Sequence, residues 1–574
     1  MKNHIITRVL AFLLVFGSMN SCSESFLDVK PNGALDATVL GTADGIDKLL
    51  VGAYAMLDGV SANGFGWESA ASNWVFGSIR GLEANKGSDA GDQPDINPIQ
   101  TYSETSTNPY LNIKWRSLYD AIARCNSAMQ VVVAAEEAGT ITAAEATSFK
   151  QQLRALRGHY HFEAWKMWEK IPYLDENTDA KTVTNSADVR DLIIADLQFG
   201  KDLPNNMGQI GRFNGTVVKV ILAKALMQMT GDYATAKTLL QEVVSGGTKP
   251  DGSAIGLAPT FGEIFDAENR NGIEAVYTVQ YSVNDGSGGW NGGWGEVLNF
   301  PYKSGESPGG CCGFFQPSQE LVNSFRTENG LPLLDNSYNS NPVLNDQGLA
   351  PGDASYVEDP GPLDPRLDWT VGRRGIPYLD WGDHTGSDWV RDQSYAGPFS
   401  PKKQVYKKAQ EGNLTEVGNW TSGYTVNGYR MIRFADVLLL LAECQIETGD
   451  LAGGLANINL VRNRAANPNG FVKEANGTTN AANYVISPYA SFANADEARS
   501  ALRMERKLEL GMEGHRYFDL RRWGVAETEI TRMLNYEKTL RSALYGNATF
   551  GAEKVKFPIP QRQIDLSNGA LTPN

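Results

Sequence analysis

The sequence predicts a mainly α-helical protein, in which a scaffold of helical hairpins carries an irregular, loop-rich half. Three observations predict it. Apolar residues recur at helical spacing over much of the chain, two distant segments repeat one helix–turn–helix pattern, and residues 280–430 lack that periodicity and are rich in Gly, Pro, Asp and Trp.

The helices are the most legible part. In QQLRALRGHYHFEAWKMW (151–168) the apolar residues Leu153, Leu156, Tyr160, Ala164 and Met167 stand three or four apart, which places them on one helix face. Pro172 bars continuation. Similar stripes lie around 44–58, 112–135, 215–230, 435–448 and 497–512. The repeated segments are VILAKALMQMTGDYATAKTLLQEVV (220–244) and VLLLLAECQIETGDLAGGLANINLV (437–461). Each reads helix, Thr-Gly-Asp, helix. Gly231 and Gly449 suit the left-handed position that ends a helix, and Asp232 and Asp450 can cap the next one. Small residues such as Ala234 and Ala452 let antiparallel helices approach closely. This is the hairpin of tetratricopeptide-type repeats. The copies are far apart and divergent, so they predict hairpins folded into one scaffold and not a regular tandem array.

The irregular half raises a sharper question. In GSGGWNGGWGE (286–296) Trp290 and Trp294 sit among glycines, where no local core covers an indole. Six of the 12 tryptophans fall between 290 and 420, at 290, 294, 369, 381, 389 and 420. That is under a quarter of the chain, so tryptophan is concentrated in its least regular part. A second irregular segment, GFGWESAASNWVFGSIRGLEANKGSD (64–89), carries Trp67 and Trp74 with Arg80, Asn85, Lys86 and Asp89.

Residues 1–21 read as a signal peptide: Lys2 and Arg8 precede the apolar run VLAFLLVF (9–16), which is shorter than the ~20 residues a membrane span needs. Met19-Asn20-Ser21-Cys22 is similar to a bacterial lipobox, with Cys22 as the acylated residue; the alternative is a plain signal peptide with an incidental Cys. No later run is long enough to span a bilayer, so a lipid would be the anchor. Net charge is −15, a field that argues against nucleic-acid partners and leans weakly toward a neutral ligand. Cys125 and Cys444 lie in helical patterns and read as buried apolar residues. Cys311-Cys312 in GGCCGFF is either two unrelated thiols or a vicinal disulfide.

Several segments together resemble the SusD/RagB family of outer-membrane nutrient-binding lipoproteins of Bacteroidetes. They are WRSLYDAIARCN (115–126), LRALRGHYHFEAWKMWEKIPYL (153–174), GRFNGTVVKVILAKALMQMTGDYATA (211–236), RMIRFADVLLLLAECQIETGDLAGGLANINLVRNRA (430–465), ERKLELGMEGHRYFDLRRWG (505–524) and the ending FPIPQRQIDLSNGALTPN (557–574). The resemblance implies a tetratricopeptide-like scaffold with a loop-rich ligand-binding half. It also implies a cell-surface lipoprotein that lies as a lid on a SusC-like TonB-dependent transporter, captures oligosaccharides, or peptides in the RagB branch, and performs no chemistry. Four regions follow: signal peptide 1–21, N-terminal helical region 22–280, loop-rich ligand-binding region 281–430 and C-terminal helical region 431–574.

Sugar rings present C–H faces on which aromatic rings stack, while their hydroxyls need polar partners at the rim. Loop tryptophans with polar neighbours therefore form the candidate site: Trp290 and Trp294, where glycines permit close approach; Trp67 and Trp74 with Arg80, Asn85 and Asp89; and Trp381 in PYLDWGDHTG. Trp115, Trp165, Trp168 and Trp523 lie on helical patterns and read as core. Of five histidines, His159 and His161 are two apart and cannot share a metal on one helix face. No metalloprotease or P-loop motif occurs, so neither a cofactor nor a metal is expected. A glycosidase needs only two carboxylates, and no motif singles out a pair among 66 acidic residues. The cluster Glu505, Arg506, Glu509, Glu513, Arg516, Asp519, Arg521, Arg522 reads as an interhelical ion-pair network, and KKQVYKK (402–408) as a solvated basic surface. The rival readings are a peptide-binding subunit, which would favour a charged or amide-lined cleft, and a helical protein–protein scaffold.

Overall fold

The computed structural model describes residues 40–60, 64–303, 307–418 and 421–574. Cys22, the expected signal peptide and Trp420 lie outside them. Helices dominate, and they start and stop where side chains satisfy their ends. Helix α1 (Ala43–Tyr54) is capped by Thr42, whose hydroxyl accepts from the Gly45 N–H. Helix α2 (Pro109–Glu137) opens on a proline after the Asn108 cap. Helix α3 (Ala143–Trp168) begins with a reciprocal Thr142–Glu145 capping box. Together α2 and α3 form the first hairpin, with α4 (Arg190–Gly200) packed on α3.

The two Thr-Gly-Asp segments form like hairpins. Helix α5 (Gly215–Met229) meets α6 (Tyr233–Gly246) at Gly231, whose φ is +67°. Helix α7 (Phe434–Glu447) meets α8 (Leu451–Ala465) at Gly449, whose φ is +86°. Asp232 and Asp450 each accept a hydrogen bond from the N–H three residues on, at 3.0 and 2.8 Å. Distant in sequence, the hairpins are neighbours in space: α6 packs on α7, and the Lys237 ammonium donates to the Thr448 hydroxyl at 2.8 Å. Helices α9 (Ala495–Leu510), α10 (Arg516–Arg522) and α11 (Ala526–Leu540) follow in the C-terminal region, with α9 against α7 and α8.

Short antiparallel strand pairs stitch the irregular half to this frame. Strand β1 (Ala84–Gly87) pairs with β3 (Phe314–Pro317), and β2 (Ala275–Tyr277) with β4 (Ile432–Arg433), which leads directly into α7. Cys311 and Cys312 form a vicinal disulfide just ahead of β3, which resolves the choice left open by the sequence.

At the seam behind β4 lies a buried ion network. Arg433 meets Glu274, Glu509 and Glu513, and Arg464 meets Glu274 and Glu509. Arg366 meets Asp364, Glu505 and Glu509, Arg462 meets Glu505, and Lys403 meets Glu513. These five cations and five carboxylates balance, which lets so many charges leave water together. One expectation is corrected here. Lys402 and Lys403 belong to the run read as a solvated surface, yet both are 2 % exposed. Lys402 donates to the carbonyls of Asp368 and Pro377, at 2.5 and 2.8 Å. The sequence shows their charge but not the acceptors, which come from distant segments.

Candidate functional site

Five aromatic rings from three separate segments meet at one edge of the irregular half. Phe65 and Trp67 stack with ring centroids 4.6 Å apart and planes 3° from parallel. Trp67 lies 5.7 Å from Trp294, Trp294 lies 4.6 Å from Trp290, and Tyr424 meets Trp294 edge-on at 5.3 Å. The outer rings are open: Phe65 is 53 % exposed and Trp290 60 %. Trp67 and Trp294 are 5 % and 6 % exposed and form the floor beneath them. The arrangement is an aromatic shelf with a supported base.

Local chemistry holds this shelf in place. Asp285 pins the Trp290 loop, its carboxylate accepting from the Ser287 N–H at 2.9 Å and the Asn291 amide at 2.8 Å. The Gly293 N–H donates to the Thr425 carbonyl at 3.0 Å, tying the loop to the strand that carries Tyr424. Gly289 has φ +86°, and a Cβ there would stand 2.8 Å from the Tyr424 ring. A Cβ on Gly66 would stand 2.6 Å from Trp294 Cβ. Both glycines are required because rings pass where side chains would be. Gly289→Ala is accordingly expected to cost about 1–2 kcal/mol from the left-handed backbone alone and to displace the loop, seen as a lower melting temperature and altered tryptophan fluorescence.

Polar groups border the rings. Gln93 Oε1 accepts from Trp67 Nε1 at 3.3 Å and from the Tyr110 hydroxyl at 2.8 Å, and Glu68 accepts from the Phe65 N–H at 2.7 Å. Asn291 and Asp285 are exposed beside Trp290. Two residues past Trp294, burial pushes the Glu296 carboxyl up to about 7, with Asp58 nearby adding to it. A raised carboxyl favours the fold below its unfolded value, and that contribution fades as pH rises toward 7.

The sequence-derived candidates separate sharply. The structure brings Trp67, Trp290 and Trp294 together. It corrects the expectation for three others. Trp74 is 1 % exposed, packed against Phe314 and Phe315, with its indole N–H on the Gly295 carbonyl at 2.9 Å. Arg80 is fully buried, paired with Glu104 at 2.5 Å and set over the Phe557 ring at 4.4 Å. Asn85 is 1 % exposed and donates to the Ala396 carbonyl at 2.7 Å. These three hold the core together and have no surface to offer a ligand. Asp89 is half-buried and pairs with Arg391 at 2.8 Å. Trp381 is half-buried in a separate small cluster, with its indole N–H on the Tyr406 carbonyl at 3.0 Å. Sequence reasoning missed Phe65, Gln93 and Tyr424. The glycine-flanked FGW was a usable signal for Phe65; nothing local marks the other two. Among the described residues no group of three or more His, Cys, Asp or Glu is placed to hold a metal.

Comparison with known proteins decides the lineage. The model of the SusD family matches residues 273–574, more than half of the chain. The chain belongs to the SusD family. This SusD-family protein is 23 % identical over 541 residues to a SusD-like protein of Bacteroides ovatus, covering 90 % of this chain and 82 % of that one. It is also 23 % identical to SusD-like protein P2 of Formosa agariphila, with 91 % of both chains covered. Among solved structures, a SusD superfamily protein from Bacteroides vulgatus superposes with a TM-score of 0.66 at 19 % identity, covering 92 % of this chain and 98 % of that one. Surface glycan-binding protein A from Bacteroides thetaiotaomicron, solved with laminarihexaose, superposes with a TM-score of 0.64 at 21 % identity, covering 93 % and 99 %. At those identities the superpositions establish the shared helical fold. No helix among the described residues is long and apolar enough to cross a membrane.

Proposed function

We propose that this SusD-family protein captures oligosaccharides at the cell surface without transforming them. The observation that carries the reading is the shelf itself, two exposed rings on an aromatic floor with carboxamide and carboxylate groups at its border. Stacking a pyranose face on Trp290 removes apolar area from water on both partners at about 25 cal/mol per Å², and the hydroxyls stay free to meet groups such as Asn291 and Asp285. A glycan-binding protein of the same fold, solved with a laminarin oligosaccharide, supports the ligand class. The outer-membrane location, the lipid on Cys22 and a SusC-like transporter beneath the protein belong to the same proposal, and rest on family membership and the lipobox-like segment.

Affinity electrophoresis of the purified protein against a panel of neutral and acidic polysaccharides tests this directly. Retardation by at least one neutral glycan is expected, with no release of reducing ends from it. If every glycan leaves the mobility unchanged while peptides bind in calorimetry, the peptide-binding alternative replaces it.

A further inference from the structure

The charged cluster on residues 505–522 reads as an ion-pair network, and seven of its eight members are paired: Glu505, Glu509 and Glu513 in the seam network, Arg506 and Arg522 with Asp519, and Arg521 with Glu169. Arg516 is the exception. Among the described residues it has neither an ion-pair nor a hydrogen-bond partner, although it is only 7 % exposed and its Nε is sealed from solvent. Burial pushes the Glu83 carboxyl up to about 7 although Arg516 draws it down, and Glu83 accepts from the Ser78 hydroxyl and the Met512 N–H instead. A buried guanidinium with no acceptor is costly, and structures rarely leave one without a purpose.

Arg516 lines a pocket of about 200 Å³ between α9, α10 and the start of α11. Two more cations line it. Arg503 lies over the Trp523 ring at 5.3 Å, and Lys507 enters from the floor, held by Glu320 at 2.7 Å. Glu529 is the one acidic side chain in the lining, and Arg532 already pairs with it at 3.0 Å. In a chain of net charge −15 this is a locally positive cavity. None of its lining residues belongs to the aromatic shelf.

We propose that this pocket is a second ligand site, which takes a small oxyanion group (carboxylate, sulfate or phosphate) on the Arg516 guanidinium. The planar fork of arginine matches two oxygens of such a group at once. Arg503 and Lys507 add charge, and Trp523 gives the anion's carrier an apolar wall. The volume accommodates a group of several water equivalents, at about 30 Å³ each.

Calorimetric titration with sodium sulfate, phosphate and acetate at constant ionic strength, balanced with chloride, tests the site. Saturable binding of at least one anion is expected, weakened tenfold or more in both Arg516→Gln and Arg503→Gln and unchanged in Trp290→Ala. Glucose 6-sulfate and glucose 6-phosphate, run beside the inorganic salts, separate a free ion from an ester as the source. Absence of saturable heat from every one of these anions overturns the proposal. So does undiminished affinity in Arg503→Gln, which keeps the test decisive should Arg516→Gln fail to fold.

Discussion

Trp290→Ala is expected to lower affinity for the selected glycan about 30-fold while leaving the melting temperature unchanged. The ring is 60 % exposed, so its removal opens no cavity. What is lost is stacking: about 80 Å² of apolar contact at 25 cal/mol per Å² amounts to about 2 kcal/mol, and each 1.4 kcal/mol is a factor of ten in affinity. Trp294→Ala behaves differently. That ring is 6 % exposed and touches Trp67, Trp290 and Tyr424, so its loss costs about 3–5 kcal/mol of stability as well as affinity. The sequence alone treats the two indoles as equivalent; the structure makes the outer one the clean probe. Calorimetry paired with a thermal melt separates the two effects. An unchanged dissociation constant in Trp290→Ala would remove the shelf from the mechanism.

Arg433→Met is expected to be the most destabilising substitution at the seam, by about 3–5 kcal/mol, because it leaves Glu274, Glu509 and Glu513 buried with less compensation. It also moves acid unfolding. Burial by itself would raise the Glu513 carboxyl, but Arg433 and Lys403 more than offset this and hold it at about 2. Glu509 is likewise held well below the usual carboxylate range against its burial, by Arg464, Arg433 and Arg366. A depressed carboxyl contributes stability above its unfolded value, and that stability is lost as pH falls toward the folded value. The native protein therefore loses this contribution between about pH 4.5 and 2. In Arg433→Met the acid midpoint moves upward, because the carboxyls protonate more readily. Circular dichroism against pH for both proteins reads the shift, and coincident acid transitions would show that Arg433 does not hold the network.

The contrast between Trp74 and Trp290 explains how much of the site was legible. Both stand in glycine- and serine-rich segments without helical periodicity, and local composition cannot tell them apart. Trp74 is buried because β3 brings Phe314 and Phe315 over it and the Gly514 backbone crosses Gly77. Those partners are more than 200 residues away in the chain. Arg80 tells the same story, since one of its hydrogen bonds goes to the Lys554 carbonyl at 2.6 Å. Tyr424 is set in the shelf by the antiparallel pairing of Tyr424–Thr425 with Thr415–Glu416, inside a segment without strand alternation.

The sequence by itself determined the helices, their hairpin turns and the family, because a helix is written in spacings of three and four residues and its ends in the few residues that can cap them. The same locality made Gly231 and Gly449 readable as helix stops. Only the tertiary structure decided which aromatic rings face water, which lysines lie inside, and which buried arginine among the described residues lacks a partner. Exposure is a property of what covers a side chain, and in this protein the cover comes from segments hundreds of positions away.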